Sequence, residues 1–429
     1  MIQQEQTITY HTVTLGPLTR EGNAQAEITE HDETGQQHIR ILSVPAGLPG
    51  EIVTIAVEAP PKPPKRHRRH WKPRPPRVEI TAIHQPSPLR THAPCPVFGT
   101  CGGCQLQHMQ YPAQLAWKRS VVRQLLQGIG NFSDPPLLET VPCDNPWNYR
   151  NHMRFSVNRS GQPGLTARGT HRVLPLTNCP IAHDQVNSAL SILSQFPNSR
   201  PQLLIRCGAA THQMLIQPHP APPIAQQLTD AGLDLRMDTM EEILAGETFR
   251  IRPSSFFQTN TAQAEKMAQM VLNGLLTNRE NNQHSLTIAD AYCGVGTFAL
   301  LLSRHVSKVI AIEESPSAIK DAQWNLRDVT NVDIVKAKVE DVLPPLAPQL
   351  DGLVIDPPRA GCQHVVLDAL IQHSVACIVY VSCDPSTLAR DLNILCHQHP
   401  IYRLRSVQPL DMFPQTAHIE CIAVLERNI

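Results

Sequence analysis

The chain has 429 residues, of which 41% are hydrophobic, with 37 basic and 37 acidic side chains. That length predicts about two to four domains, and a formal net charge of zero excludes any whole-molecule electrostatic argument for a nucleic-acid partner, so such a surface has to be local. No window approaches about 18 unbroken apolar residues, and MIQQEQTITY has neither a basic nor an apolar leader region, so a soluble cytoplasmic protein with no membrane partner is expected. In a reducing cytosol the twelve cysteines are expected to be metal ligands, nucleophiles or buried packing residues rather than disulfides.

Residues 1–58 alternate apolar and polar in short runs, with strands expected at 13–15, 39–42 and 52–57 and turns at Gly16-Pro17, Gly22 and Pro45–Gly50. This spacing predicts a small β-barrel, closed by a last strand at 78–83. Between them, residues 60–77 (PPKPPKRHRRHWKPRPPR) hold eight Lys/Arg, two His, Trp71 and no acid. Proline at that density forbids a helix or central strand. The stretch reads either as an extended arm that follows phosphates, with Trp71 free to stack on a base, or as a solvated linker.

Cys95, Cys101 and Cys104 come next in a Cys-x5-Cys-x2-Cys pattern, with two glycines between the last pair. Three thiolates need a fourth partner, and spacing does not choose among Cys179, Cys143 and Cys207. Four thiolates suit tetrahedral zinc and an iron–sulfur cluster equally. The rest of 84–250 is mixed α+β, with a helix at 114–126 and strands at 153–157 and 202–207.

From 251 onward, apolar strand-like runs at 287–289, 309–312, 352–355 and 378–381 alternate with helical stretches. That rhythm predicts a parallel α/β sheet covered on both faces. Asp290-Ala-Tyr292-Cys-Gly294-Val-Gly296-Thr sits at a strand-to-helix turn, and the next strand ends at Glu313, an acid placed for a ribose diol. The full G-x-G-x-x-G is absent, which favours S-adenosylmethionine over a dinucleotide. Asp356-Pro-Pro-Arg-Ala-Gly361 and Ser382-Cys383-Asp-Pro-Ser-Thr each come after a strand at the edge where open sheets bind ligands. An Asp there can accept from the N3–H of a uracil. Glu420, with His418 as its rival, opens the last strand after Asp411-Met-Phe-Pro. Read alone, Cys383 fits a nucleophile or a small buried residue, and Glu420 a base or a surface acid.

Taken in order, these four motifs and Arg252-Pro-Ser-Ser-Phe-Phe-Gln258-Thr-Asn resemble those of the RNA uracil-5-methyltransferase family, over nearly the whole chain. The resemblance implies a multidomain protein: an OB-like TRAM barrel for RNA binding (1–83), a central domain with an iron–sulfur cluster (84–250) and a Rossmann-like methyltransferase domain (251–429). Cys383 matches the nucleophile and Glu420 the base. Gln258, Tyr292, Gly294, Gly296, Glu313 and Asp356 match positions around S-adenosylmethionine or the target base. Cys95, Cys101, Cys104 and Cys179 match the ligands of a [4Fe-4S] cluster in the ribosomal-RNA branch, zinc being the alternative. That branch makes 23S rRNA the expected substrate and tRNA the alternative, with no obligate protein partner implied. Asp384 stands where Asn is usual, and Ala291 replaces a larger apolar residue; neither removes a reacting group. The motif layout of cytosine-5 enzymes and the C-x3-C-x2-C core of radical enzymes are both absent. A non-catalytic RNA-binding protein would not need both Cys383 and Glu420.

Overall fold

The computed structural model describes residues 8–31, 36–59, 75–277 and 285–428. Most of the basic stretch, including Trp71, lies outside the described residues. The chain forms two compact units, Met1–Gln114 with Gln415–Ala417, and Leu115–Pro414 with His418–Ile429.

The first unit contains β1 (Ile8–Thr14), β2 (Ala24–His31), β3 (Gln37–Val44), β4 (Ile52–Glu58) and β5 (Arg77–Gln85). β4 pairs antiparallel with β1 and β5, while β2 and β3 form a hairpin. Val53, Ile55 and Val57 point inward along β4, the period of two that a half-buried strand requires. They share a core with Ala26, Ile28, Leu42 and Val44, so packing joins hairpin and sheet where the sequence suggested one closed barrel. Among the described residues the ladders are these two separate sheets. β2 escapes a sequence reading because its AQAEITEH run has only Ile28 and Thr29 as branched residues.

Residues 84–114 fold with these strands, so the unit boundary falls at 114/115 instead of the 83/84 suggested by composition. The fully buried Glu51 carboxylate explains this: it accepts from Arg90 Nε and Nη2 at 2.5 and 2.7 Å and from the Ser87 amide at 3.1 Å. A buried carboxylate needs such partners to offset its lost hydration.

Helix α1 (Tyr111–Gly128) leads into the second unit. There β6 (His152–Val157), β7 (Pro163–Thr166), β8 (Val173–Pro175), β9 (Gln202–Cys207), β10 (Gln213–Gln217) and β11 (Asp234–Arg236) form a sheet of order β11-β10-β9-β6-β7-β8. Helices α2 (Asp184–Leu193) and α3 (Pro222–Asp230) and the hairpin of β12 (Met240–Leu244) and β13 (Glu247–Ile251) accompany it. Residues 115–250 do not separate from the C-terminal part of the chain. The Asn151 amide donates to the Thr259 carbonyl at 2.9 Å, and the Arg250 amide to Asn325 Oδ1 at 2.8 Å.

The remaining elements are α4 (Thr261–Leu276), β14 (Thr287–Ala291), α5 (Thr297–Ser303), β15 (Lys308–Glu313), α6 (Pro316–Asn325), β16 (Val332–Lys336), α7 (Val339–Leu346), β17 (Gly352–Ile355), α8 (His364–Gln372), β18 (Cys377–Ser382), α9 (Pro385–Asn393), β19 (Tyr402–Leu410) and β20 (Glu420–Arg427). Their seven strands make one sheet of order β16-β15-β14-β17-β18-β20-β19, with the first five parallel and β20 antiparallel to both its neighbours. Successive side chains divide between two cores. Ile288, Val309, Val354, Val379, Ile422 and Val424 face one, while Ala289, Ile310, Ile355, Ile378, Ala423 and Leu425 face the other. Each of the valine, leucine and isoleucine side chains contributes about 1.5–3 kcal/mol on burial, which is why these strands read as unbroken apolar runs. Among the described residues no helix is long and apolar enough to cross a membrane.

α4 lies close on the sheet at Gly274, where a Cβ would meet Val379 Cγ2 at 2.9 Å and Val424 Cγ2 at 3.0 Å. Gly274→Val should therefore lower stability by about 1–3 kcal/mol in denaturant melts. Gly128→Ala, at an open helical position, should change it by under about 1 kcal/mol. Equal effects would contradict the close approach.

Candidate active site

The order of the parallel strands reverses at β14, and the candidate residues collect at the C-terminal strand ends on either side of it. Asp356 comes directly after β17, whose Ile355 pairs with Tyr380 of β18. In the antiparallel β18–β20 ladder Ser382 lies opposite Cys421, so one further step of the register sets Cys383 beside Glu420. Residues 37 positions apart in the chain are thus brought together by strand pairing alone.

Cys383 is half-buried between β18 and α9. Asp384 caps that helix, its Oδ1 accepting from the Ser386 amide at 2.9 Å. The helix N-terminus favours a thiolate, but burial comes first and the Glu420 and Asp356 carboxylates add to it. Together they push the thiol up to about 11, with Arg359 acting the other way. Glu420 is buried, and burial followed by Asp356 holds its carboxyl well above the usual range, again opposed by Arg359. Burial raises Asp356 to about 7. Arg359, the fourth residue of the Asp356 motif, is the cation that opposes the shift of both groups. Nothing in the sequence marked it beyond its place in that motif.

His418, the rival to Glu420, is exposed. Although the residue as a whole is exposed, partial desolvation of its ring comes first, and with Arg359, Lys118 and Arg150 it lowers the pKa below that of an ordinary histidine, against Asp384.

The loop after β14 runs through three left-handed residues, Tyr292 (φ 64°), Gly294 (φ 57°) and Gly296 (φ 86°). Two are glycine, as such backbone prefers; Tyr292 is a non-glycine exception, and its hydroxyl donates to Glu340 Oε1 at 3.0 Å. Glu340, on α7, went unread in the sequence because a lone acid in a helix has no motif. Glu313 holds the loop from the next strand: its Oε2 accepts from the Gly294 amide at 2.9 Å and its Oε1 from the Ser315 amide at 2.7 Å. Asp290 Oδ2 accepts from the Ala299 amide at 2.8 Å, while its buried Oδ1 has no hydrogen-bond partner. Burial, opposed by that amide and reinforced by Asp356 and Glu313, raises Asp290 to about 8. Nothing lies within 4 Å of where a Cβ on Gly294 would project. An open backbone and an unpartnered buried acid suit a polar, sugar-bearing ligand.

Gln258 is half-buried on the segment between β13 and α4. Arg206 shapes that segment, its Nη1 donating to the Arg252 and Ser255 carbonyls at 3.2 and 3.0 Å. Phe256 on the same segment is 67% exposed, an aromatic face that sequence periodicity did not flag.

Of the cysteine set, Cys101 and Cys104 are buried and Cys95 half-buried in the first unit, where the Gly103 amide donates to Cys101 Sγ at 3.4 Å. Cys179 is buried in the second unit, its amide donating to Asn187 Oδ1 at 2.8 Å. Among the described residues no three His, Cys, Asp or Glu side chains gather as a metal-binding group. Of the other candidates, Cys207 is raised to about 12 by burial and then Glu242, and Cys143 is raised by burial while its sulfur accepts from Asn260 Nδ2 at 3.5 Å.

Residues 231–428 match the family model described as tRNA (Uracil-5-)-methyltransferase. An uncharacterized RNA methyltransferase of Gloeobacter violaceus is 35% identical over 401 residues, covering 82% of this chain and 86% of its own. One from a Nostoc species is 32% identical, covering 92% and 93%. The structure of Pyrococcus abyssi tRNA (uracil-54, C5)-methyltransferase in complex with S-adenosyl-L-homocysteine superposes with a TM-score of 0.70, covering 96% of this chain and 99% of its own at 23% identity, so the likeness is one of fold.

The charge arrangement makes a prediction for the free protein. With a thiol near 11, alkylation of Cys383 by iodoacetamide, followed by peptide mass spectrometry, should rise about tenfold per pH unit between pH 7 and 9. At fixed pH, Glu420→Gln should speed it and Arg359→Ala should slow it. A flat profile, or both variants shifting the rate the same way, would contradict the arrangement.

Proposed function

Because the chain belongs to the RNA uracil-5-methyltransferase family, which acts with S-adenosylmethionine, we propose that it methylates C5 of a uridine in RNA through a covalent bond from Cys383 to C6. The observation that carries this reading is the β18–β20 register, which sets a thiol beside a buried carboxyl with Asp356 at the same sheet edge.

C5 of uracil is too weak a nucleophile to take a methyl group unaided. The Cys383 thiol gives its proton to solvent, and the thiolate adds to C6 while the C5–C6 π pair moves into the enolate that extends to O4. S-adenosylmethionine, when bound, would supply the electrophilic methyl that C5 takes, its S–CH3 bond breaking to leave S-adenosylhomocysteine. C5 then carries both a proton and a methyl. The Glu420 carboxylate removes that proton, the C5–C6 double bond re-forms, and Cys383 leaves as thiolate. A carboxyl held well above its usual range is the stronger base this step needs. The uridine has to leave its stack so that C6 faces Cys383.

Glu313 would hold the ribose diol, with the Gly294–Gly296 backbone and Tyr292 around the rest of the adenosyl group. Gln258 and Asp356 would face the reacting end, Asp356 accepting from N3–H. The unpartnered Asp290 Oδ1 and the open face of Gly294 support this fit.

The β-rich first unit serves as the TRAM-type, OB-like RNA-binding domain, with exposed Tyr10, Ile39 and Ile41 on its strands. The loop of Cys95, Cys101 and Cys104 fits a thiolate-bound centre in donor chemistry, supported by the amide aimed at Cys101 Sγ. The motif resemblance assigns it a [4Fe-4S] cluster with Cys179 as fourth ligand, zinc being the alternative. The same motif supports 23S rRNA as substrate. The tRNA reading is favoured by the description of the family model and by the activity of the Pyrococcus abyssi protein.

Two experiments test this reading. With radiolabelled S-adenosylmethionine and RNA, Cys383→Ser should abolish transfer. Glu420→Gln should accumulate methylated RNA bound to protein on a denaturing gel. Transfer by Cys383→Ser would refute the nucleophile. Mapping 5-methyluridine in total RNA from a deletion strain should show loss at a 23S rRNA position; loss at a tRNA position alone would move the substrate to tRNA.

A further inference from the structure

The segment between β19 and β20 has no regular hydrogen-bond ladder, yet four consecutive carbonyls in it are each met by a side chain from elsewhere. Gln263 Nε2 donates to the Asp411 carbonyl at 3.0 Å, Asn260 Nδ2 to that of Met412 at 3.1 Å, Lys118 Nζ to that of Phe413 at 3.1 Å and the Tyr149 hydroxyl to that of Pro414 at 2.9 Å. Lys118 also pairs with Asp411 Oδ1 at 2.5 Å, both side chains fully buried. All four donors are buried. Asn260 caps α4 through its Oδ1, which leaves its Nδ2 for Met412. Gln263 Oε1 has no hydrogen-bond partner, so the bond this buried side-chain amide makes here is the one its Nε2 donates.

What the clamp holds is the backbone next to Glu420. Leu410 pairs with Glu420 in the β19–β20 ladder, and the clamped run starts at the following residue. Leu410 is the last residue of β19, so beyond it the ladder gives no further support. Helices α1 and α4 and the segment before β6 supply the donors instead.

We propose that Lys118, Tyr149, Asn260 and Gln263 are positioning residues for proton removal from C5: by fixing Asp411 through Pro414 they hold Glu420 where it reaches the adduct. This inference rests on Glu420 acting as the base. None of the four is expected to touch the uridine or the methyl donor. Loosening the clamp should therefore slow release of methylated RNA while sparing formation of the Cys383 bond and methyl transfer. A merely structural role would weaken every step together.

The test is single-turnover kinetics of the full-length protein with radiolabelled S-adenosylmethionine and substrate RNA. Total methyl transferred is read on a filter, and protein-bound RNA on a denaturing gel. Tyr149→Phe removes one hydroxyl and keeps the ring. Gln263→Met keeps the volume and removes the donor. In each, release should slow at least tenfold more than methyl transfer, so that the covalent complex persists, as is expected of Glu420→Gln. Equal slowing of both steps, or wild-type release in both variants, would overturn the clamp. Should Gln263→Met fail to fold, Tyr149→Phe decides by the same criterion. If the wild-type protein forms no covalent complex even with 5-fluorouridine RNA, the failure lies in the proposed mechanism itself; a normal wild-type complex with normal release in the variants rejects the clamp alone.

Discussion

The antiparallel pairing of β20 with β18 is the constraint on which the site depends. A parallel strand would carry its first residue to the opposite edge of the sheet. Inserted antiparallel, β20 begins where β18 ends, so its opening carboxyl lands beside the cysteine that comes after β18. A one-residue slip would turn every β20 side chain to the other face. Ile422 and Val424 pack into one core and Ala423 and Leu425 into the other, so the apolar pattern locks the register against that slip. The burial that stabilises the sheet also fixes the distance between the two groups proposed to react.

The same burial sets their proton affinities. Burial raises the proton affinity of Cys383, Asp356 and Glu420 alike; Asp356 adds to the shift of Glu420, and Glu420 and Asp356 add to that of Cys383. Arg359 is the counterweight. In the proposed reaction this raised affinity makes Glu420 a stronger base once it is ionised. On the proposed reading the exposed His418, lowered below an ordinary histidine and near several cations, would be the weaker base.

Much of this was legible in the chain. Strands 202–207 and 352–355 appear as read, and Cys383, Glu420, Asp356 and Glu313 all lie at strand ends, because long apolar runs flanked by polar turns leave few alternatives. The illegible parts have physical reasons. β2 lacks branched residues over most of its length, so its pairing comes from tertiary context. Residues 84–114 join the first unit through the Glu51–Arg90 pair, which no local pattern encodes. Glu340, Arg359 and the donors to Asp411–Pro414 matter through partners distant in sequence. No single-chain periodicity reports such contacts.

The central claim is a covalent bond from Cys383 to the base, and its most direct measurement is to identify the bonded residue. Protein incubated with 5-fluorouridine RNA and S-adenosylmethionine, then digested with protease and nuclease, should yield by tandem mass spectrometry a nucleotide-modified peptide containing Cys383 and carrying the transferred methyl. Modification at any other cysteine, or methylated RNA formed with no covalent peptide at all, would contradict it.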